Sequence, residues 1–295
     1  MSKKNVVFVH GIGDETPDFY KAFIPILQQN GHDMSKFDVC GLYWEDILDE
    51  IQNKYPTISS NFSNFLECFG LKALKDNLDQ HQSVYKQIED YYMDVLVFVC
   101  LPDMAQMVND RCLMKLKKLS EGRERDTIII AHSLGAAMIP YILWHLREFT
   151  FGIPYGGLIL LASPLGFRSP INKALHDFLY LMGLINNTDR ESILRDFALE
   201  WTLIGDKTLH FICNTNDIVC SDVKFPIMGT SVDPIPLQQG FTTNEIGILN
   251  GSHRGCFHKV TFGSPAFDKI ASNHDFKTYL KTQAFKDAFN HLISQ

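Results

Sequence analysis

No two of the seven cysteines stand in a CxxC spacing. Cys40, Cys68, Cys100, Cys112, Cys213, Cys220 and Cys256 are scattered, odd in number and flanked mostly by apolar residues. That pattern argues against a disulfide framework and against a structural zinc site; free buried thiols in a reducing compartment are the expectation. Long hydrophobic runs are also missing. The longest after the N-terminal region, VLVFVCL at 95–101, is far too short to cross a bilayer, and VVFVH at 6–10 is too short for a signal-peptide core and ends on His10. The expectation is a cytoplasmic protein without a transmembrane segment. Positive charge is nowhere concentrated. Lys and Arg total 27 against 34 Asp and Glu, a net charge of −7. The nearest thing to a basic stripe, Lys115, Lys117, Lys118, Arg123 and Arg125, is interleaved with Glu121, Glu124 and Asp126, as on a solvated helix end. A nucleic-acid partner is not expected, because phosphate contacts need clustered cations. There is no internal repeat, no low-complexity linker, and no HExxH or other close ligand set, so neither a metal nor a cofactor is expected.

What is present fits an ordinary globular chain. Its 295 residues, 45% apolar and 21% charged, suffice for one domain with a full core and sizeable insertions. Short apolar runs alternate with helical patterns, which predicts an α/β class with a mostly parallel central sheet flanked by helices. Strands are expected at 6–10, 37–44, 126–133, 156–164 and 208–217, with a last strand or adjoining loop at 257–265. Helices are expected at 19–29, 134–149, within 171–200 and at 275–293. In the last of these, Phe276, Tyr279, Leu280, Phe285, Phe289 and Leu292 recur at helical spacing. Residues 45–125 read as several helices and are expected to form a helical insertion or cap; the Val-rich run near 95 is read as helix, with a strand as the alternative. Residues 168–205 read as a second helical insertion or lid.

The segment IIIAHSLGAAMIP, at 128–140, carries the chemistry. A β-branched strand stops at His132-Ser133 and restarts as an apolar helix. A nucleophile on such a sharp strand-to-helix turn needs small residues two positions to either side, and Ala131 and Gly135 meet that need. Ala136 and Ala137 let the following helix approach closely. The backbone N–H of the residue after the nucleophile, Leu134, would point at an oxyanion. The pattern is AxSxG where the motif is written GxSxG.

At these residues the sequence resembles the α/β-hydrolase fold, and particularly the lipase- and esterase-like serine hydrolases, in which AHSLG is a familiar form of the turn. The likeness extends along most of the chain in strand order. It is specific at three short places and weak in the two helical stretches. The second place is FVHGIG at 8–13, where Gly11 and Gly13 leave room for backbone to approach an oxyanion; by the family's pattern the second N–H donor would be Ile12, with His10 bracing the loop. The third is the acid and the base, which follow the serine in that order in this fold. Asp217, just after the apolar strand LHFIC, resembles the family acid, with Asp222 and Asp233 as competitors. His274, in the loop before the terminal helix and a few residues ahead of Tyr279, resembles the family base. His253, read as a loop residue, and His258, read as a strand histidine, are the competitors. His132 sits beside the nucleophile but should leave the turn in another direction. His81, His145 and His176 are expected to be surface or core residues. The resemblance implies a carboxylic-ester hydrolase working through an acyl-enzyme on a small-molecule or lipid ester. An acyltransferase on the same residues, or a binding protein that kept the fold without turnover, are the alternatives.

Overall fold

The computed structural model describes residues 3–11, 16–44, 46–47, 50, 102–147, 155–163, 209–217, 243–248, 252–264 and 270–295. Among them, seven strands form one sheet: β1 (Lys4–Val9), β2 (Phe37–Leu42), β3 (Thr127–His132), β4 (Gly157–Leu161), β5 (Leu209–Asn214), β6 (Thr243–Ile248) and β7 (Ser252–Val260). Their order across the sheet is β2-β1-β3-β4-β5-β7-β6. Every neighbouring pair is parallel except β6 with β7, which is antiparallel with a register irregularity between Glu245 and Gly247. The α/β class and the mostly parallel sheet are therefore present.

The sequences of β1, β3 and β4 do not alternate in polarity, because both faces of the sheet are covered. Every residue of β3 and β4 is buried, as is all of β1 after Lys4. On one face Val6, Phe8, Ile128, Ile130, Ile159, Leu161 and Ile212 pack against the segment 19–29 and the C-terminal helices. Alternate residues point to the other face, where the Asn5 side chain donates to the Leu119 carbonyl (2.9 Å) at the end of helix α2 (Pro102–Ser120). Helix α3 (Leu134–Arg147) packs there too, against α2 and β3. Fully burying one such Leu, Ile or Phe side chain contributes about 1.5–3 kcal/mol.

Two expected helices are built differently. The segment 19–29 is a 3-10 turn (Phe19–Phe23) followed by α1 (Ile24–Gln29). Pro25 lies in the first turn of α1, and having no N–H it cannot donate to the carbonyl four residues back, so a continuous α-helix from Phe19 would lose a rung there. The C-terminal helix is broken into α5 (Phe276–Leu280) and α6 (Gln283–Ile293), preceded by the short α4 (Ile270–Asn273). Thr282 makes the break: its backbone is extended (φ −68°, ψ 150°), its hydroxyl donates to the Tyr279 carbonyl (2.7 Å) and accepts from Phe285 N–H (3.2 Å). One side chain thus closes α5 and caps α6.

Of the two expected insertions, 168–205 lies outside the described residues, as does 45–125 apart from residues 46, 47, 50 and 102–125, which include α2; the Val-rich run near 95 and the lid role fall outside as well. No helix among the described residues is long and apolar enough to cross a membrane. Cys40, Cys112 and Cys213 are free; burial pushes the Cys112 thiol up to about 12 and the Cys40 thiol up to about 11, which keeps both protonated and unreactive.

Candidate active site

The order of the sheet locates the site before any side chain does. The chain passes from β1 to β2 on one side, then crosses to β3 on the other, so the direction of winding reverses between β1 and β3. In open parallel sheets, ligands bind in the crevice beyond the carboxyl ends of the strands at such a reversal. Gly11 follows β1, Ser133 follows β3, Asp217 follows β5 and His274 lies in the segment after β7. All four are at that end.

Ser133 has φ 54°, a left-handed conformation that a non-glycine residue holds at a cost of about 1–3 kcal/mol. Three features hold it there. Its N–H donates to the Leu161 carbonyl (3.0 Å), extending the β3–β4 ladder by one residue, and its carbonyl accepts from Ala136 N–H (2.9 Å) in the first turn of α3. Gly135 lies so close to the His10 carbonyl and to Val9 that any Cβ would collide with backbone, which explains the small residue required there. Gly11 packs on the other side; a Cβ on it would sit 2.5 Å from Ser133 Cβ and 3.1 Å from Ser133 Oγ. Ala131, where the motif has glycine, lies inside β3 opposite Val9 and Leu160 and is fully buried. The sheet accepts its methyl group.

Ser133 Oγ is 2.7 Å from His274 Nε2, and His274 Nδ1 is 2.7 Å from Asp217 Oδ2. A carboxylate only accepts, so Nδ1 carries the proton and Nε2 is free to accept from the serine hydroxyl. Ser133 is 2% exposed and the Asp217 side chain is fully buried, so little water weakens these bonds. Leu134 is the first residue of α3, where backbone N–H groups have no intrahelical acceptor and the helix dipole favours negative charge. Ile12 and Gly13 lie outside the described residues.

His10 has the bracing position expected of it. Its Nδ1–H donates to the Gly11 carbonyl (2.6 Å), and its Nε2 accepts from Trp44 N–H (3.3 Å). Trp44 also donates from its indole to the His10 carbonyl (3.1 Å) and stacks on the imidazole (5.1 Å between centroids, 11° between planes). Burial pushes His10 down to about 4, so it stays neutral and keeps the tautomer that both bonds need.

Asn214, the last residue of β5, is a part of the site that sequence reading passed over. Its side-chain oxygen accepts from Asn216 N–H (3.2 Å) and Phe262 N–H (3.1 Å), and its amide donates to the Phe262 (3.3 Å) and Asn273 (3.1 Å) carbonyls. Asn273 in turn donates to the Asn216 (2.9 Å) and Ser264 (2.6 Å) carbonyls. Two buried asparagines therefore tie together the turn that carries Asp217, the end of β7 and the segment that carries His274. Their only sequence signal was asparagine at the end of an apolar strand and just before the candidate base.

His132 does turn away from the serine hydroxyl, but it ends beneath the candidate base. Its ring stacks on Phe276 (4.6 Å, 16°) and lies 4.8 Å from the His274 ring. Complete burial, with the nearby His274 adding to it, drives its pKa well below the ordinary value, so it offers His274 a neutral neighbour.

The structure places only some of the competing residues. Asp222, Asp233, His81 and His176 lie outside the described residues, and His145 is described only as helix backbone. His253 is not in a loop: it lies in β7 opposite Gly247 of β6. His258 is a buried strand histidine, 3.0 Å through Nε2 from His210 Nδ1, while His210 Nε2 is 3.1 Å from His291 Nδ1. The partners of His210 sit on opposite nitrogens, so the three imidazoles share no common centre. Among the described residues no group of three or more His, Cys, Asp or Glu is placed to hold a metal ion.

No family model, curated protein or solved structure matches the chain. The site therefore rests on its own geometry.

Burial makes these histidines a liability in acid. It pushes His210 down to about 3 and His258 to about 4, with neighbouring imidazoles adding to the effect on each, and His10 to about 4. Unfolded histidine titrates near 6.5. Between those values the unfolded chain binds protons that the folded chain cannot, so stability is full above about pH 6.5 and falls as pH drops toward 4. At pH 5 each imidazole is expected to cost up to about 2 kcal/mol. Urea midpoints should fall between pH 7 and pH 5, and equal midpoints would contradict the burial of these rings.

Proposed function

We propose that this chain is a serine hydrolase of the α/β-hydrolase fold that cleaves carboxylic esters through an acyl-enzyme. The observation that carries the proposal is the unbroken line from Ser133 Oγ through His274 to Asp217, 2.7 Å at each step, with the serine held at φ 54° between a parallel strand and a helix. A structural serine has no need of a strained backbone and an imidazole partner together.

The chemistry follows from the contacts. His274 Nε2 takes the hydroxyl proton as Ser133 Oγ attacks the acyl carbonyl. Leu134 N–H faces the developing oxyanion, and Ile12 N–H is the proposed second donor. Asp217 keeps the proton on Nδ1 and stabilises the imidazolium, which then protonates the departing alkoxide. Water, activated by His274, releases the acyl group and restores the serine. Loss of one oxyanion donor is worth about 2.7–4 kcal/mol of barrier.

A p-nitrophenyl ester series of increasing acyl length tests this reading. Purified protein should release p-nitrophenol from at least one member, with a burst near one equivalent where deacylation is slow. Added alcohols should not divert the acyl group into new esters; if they do so in preference to water, the reaction is acyl transfer. Absence of both turnover and burst across the series would contradict the proposal.

A further inference from the structure

We propose that Tyr279 is a positioning residue that sets how firmly Asp217 holds the proton on His274. The inference rests on the triad reading above. Tyr279 is fully buried in α5, and its hydroxyl is engaged on both sides. It accepts from the backbone N–H of Asn214 (3.1 Å) and donates to Asp217 Oδ2 (2.8 Å). A backbone N–H can only donate, so the single phenol proton has to point at the carboxylate.

Oδ2 is the same oxygen that accepts from His274 Nδ1. Two donors, a phenol and an imidazole, thus draw on one carboxylate oxygen inside a site whose acid is closed to solvent. Strengthening one weakens the other's share of the charge. The phenol cannot drift out of this arrangement. Asn214 is the last residue of β5, held opposite Val260 of β7, and its side chain ties the surrounding segments together. The Tyr279 ring is wedged edge-on against Phe262 (5.1 Å, 85°) and tilted against His132 (5.8 Å). The sheet fixes the Asn214 N–H, and the packed ring of Tyr279 holds its hydroxyl between that N–H and Asp217.

The consequence is graded control of the base. Without the phenol proton, more of the carboxylate charge falls on His274, and the imidazolium is held more tightly. Tyr279→Phe keeps the ring and removes only the hydroxyl. It is expected to move the acidic limb of the pH profile of kcat/KM upward by about half a unit to one unit. It should lower kcat about tenfold with KM unchanged, because Tyr279 does not face the substrate. Site-specific 3-fluorotyrosine at 279, a stronger donor of the same shape, is expected to move the limb the other way.

A residue that only fills space would change the melting temperature or kcat in Tyr279→Phe and leave the limb in place in both variants. Limbs that stay put, or that move in the same direction, would overturn the inference. Should Tyr279→Phe fail to fold, the fluorinated protein alone decides, since an unmoved limb there has the same meaning. Ser133→Ala run alongside keeps the two readings apart: if it retains full activity the triad falls, whereas an inactive Ser133→Ala with unmoved limbs at 279 removes only the role of Tyr279.

Discussion

Ser133→Ala is expected to lower kcat for p-nitrophenyl ester hydrolysis by about 10⁴- to 10⁶-fold while leaving the protein folded. The size follows from what the hydroxyl does. In the proposed mechanism it is the atom that forms the acyl bond, and the two residues that crowd the turn, Gly11 and Gly135, have no side chain to take its place. The small structural effect has its own reason. Alanine at φ 54° carries the same backbone strain as serine. What is lost is one hydrogen bond to His274, worth about 0.5–1.5 kcal/mol, which shifts the melting temperature of a domain this size by only a few degrees. Residual activity should not respond to Asp217→Asn or His274→Ala, since three groups that act as a unit are not additive. Rates of parent and Ser133→Ala on the best ester of the series measure the effect.

Asp217→Asn should lower kcat by about 10³- to 10⁴-fold. Oδ2 accepts from both His274 Nδ1 and Tyr279 Oη. An amide nitrogen at that place would face two donors, so the asparagine turns its carbonyl oxygen toward them and preserves the orientation of His274. The negative charge that stabilises the imidazolium is what disappears. KM should change little and the fold should be kept. Asp222→Asn and Asp233→Asn, at the other acids weighed in the sequence, are expected to leave kcat within about twofold. A loss at either one larger than that at Asp217 would reassign the acid.

Much of the architecture was legible because burial on both faces leaves short apolar and largely β-branched runs such as VVFVH, TIIIA and GLILL, bounded by turn residues, which favour a covered parallel strand. The geometry of the site was legible in outline because a strand-turn-helix with small flanking residues has few uses. What escaped had weaker local signals. β6 is TNEIGI, which opens on three polar residues and carries a glycine among its isoleucines, and it is held by antiparallel pairing with β7. The break in the C-terminal helix was hidden because Phe276, Tyr279, Leu280, Phe285 and Phe289 keep helical spacing across it; only the hydroxyl of Thr282, shared between two helix ends, decides it. The placing of His253 in a loop failed because Gly251 and Gly255 flank it, whereas pairing with β6 draws the segment into a strand. The asparagine ties at 214 and 273 join segments about sixty residues apart, and no window of sequence shows such a tie.

The central claim is that Ser133 is a nucleophile activated by His274 and Asp217. Labelling with a fluorophosphonate probe, followed by peptide mass mapping, tests it most directly. The account predicts one probe per chain, on Ser133, with labelling lost in Ser133→Ala and slowed strongly in His274→Ala. A folded parent protein that takes up no probe, or a label that maps elsewhere and persists in Ser133→Ala, would contradict it.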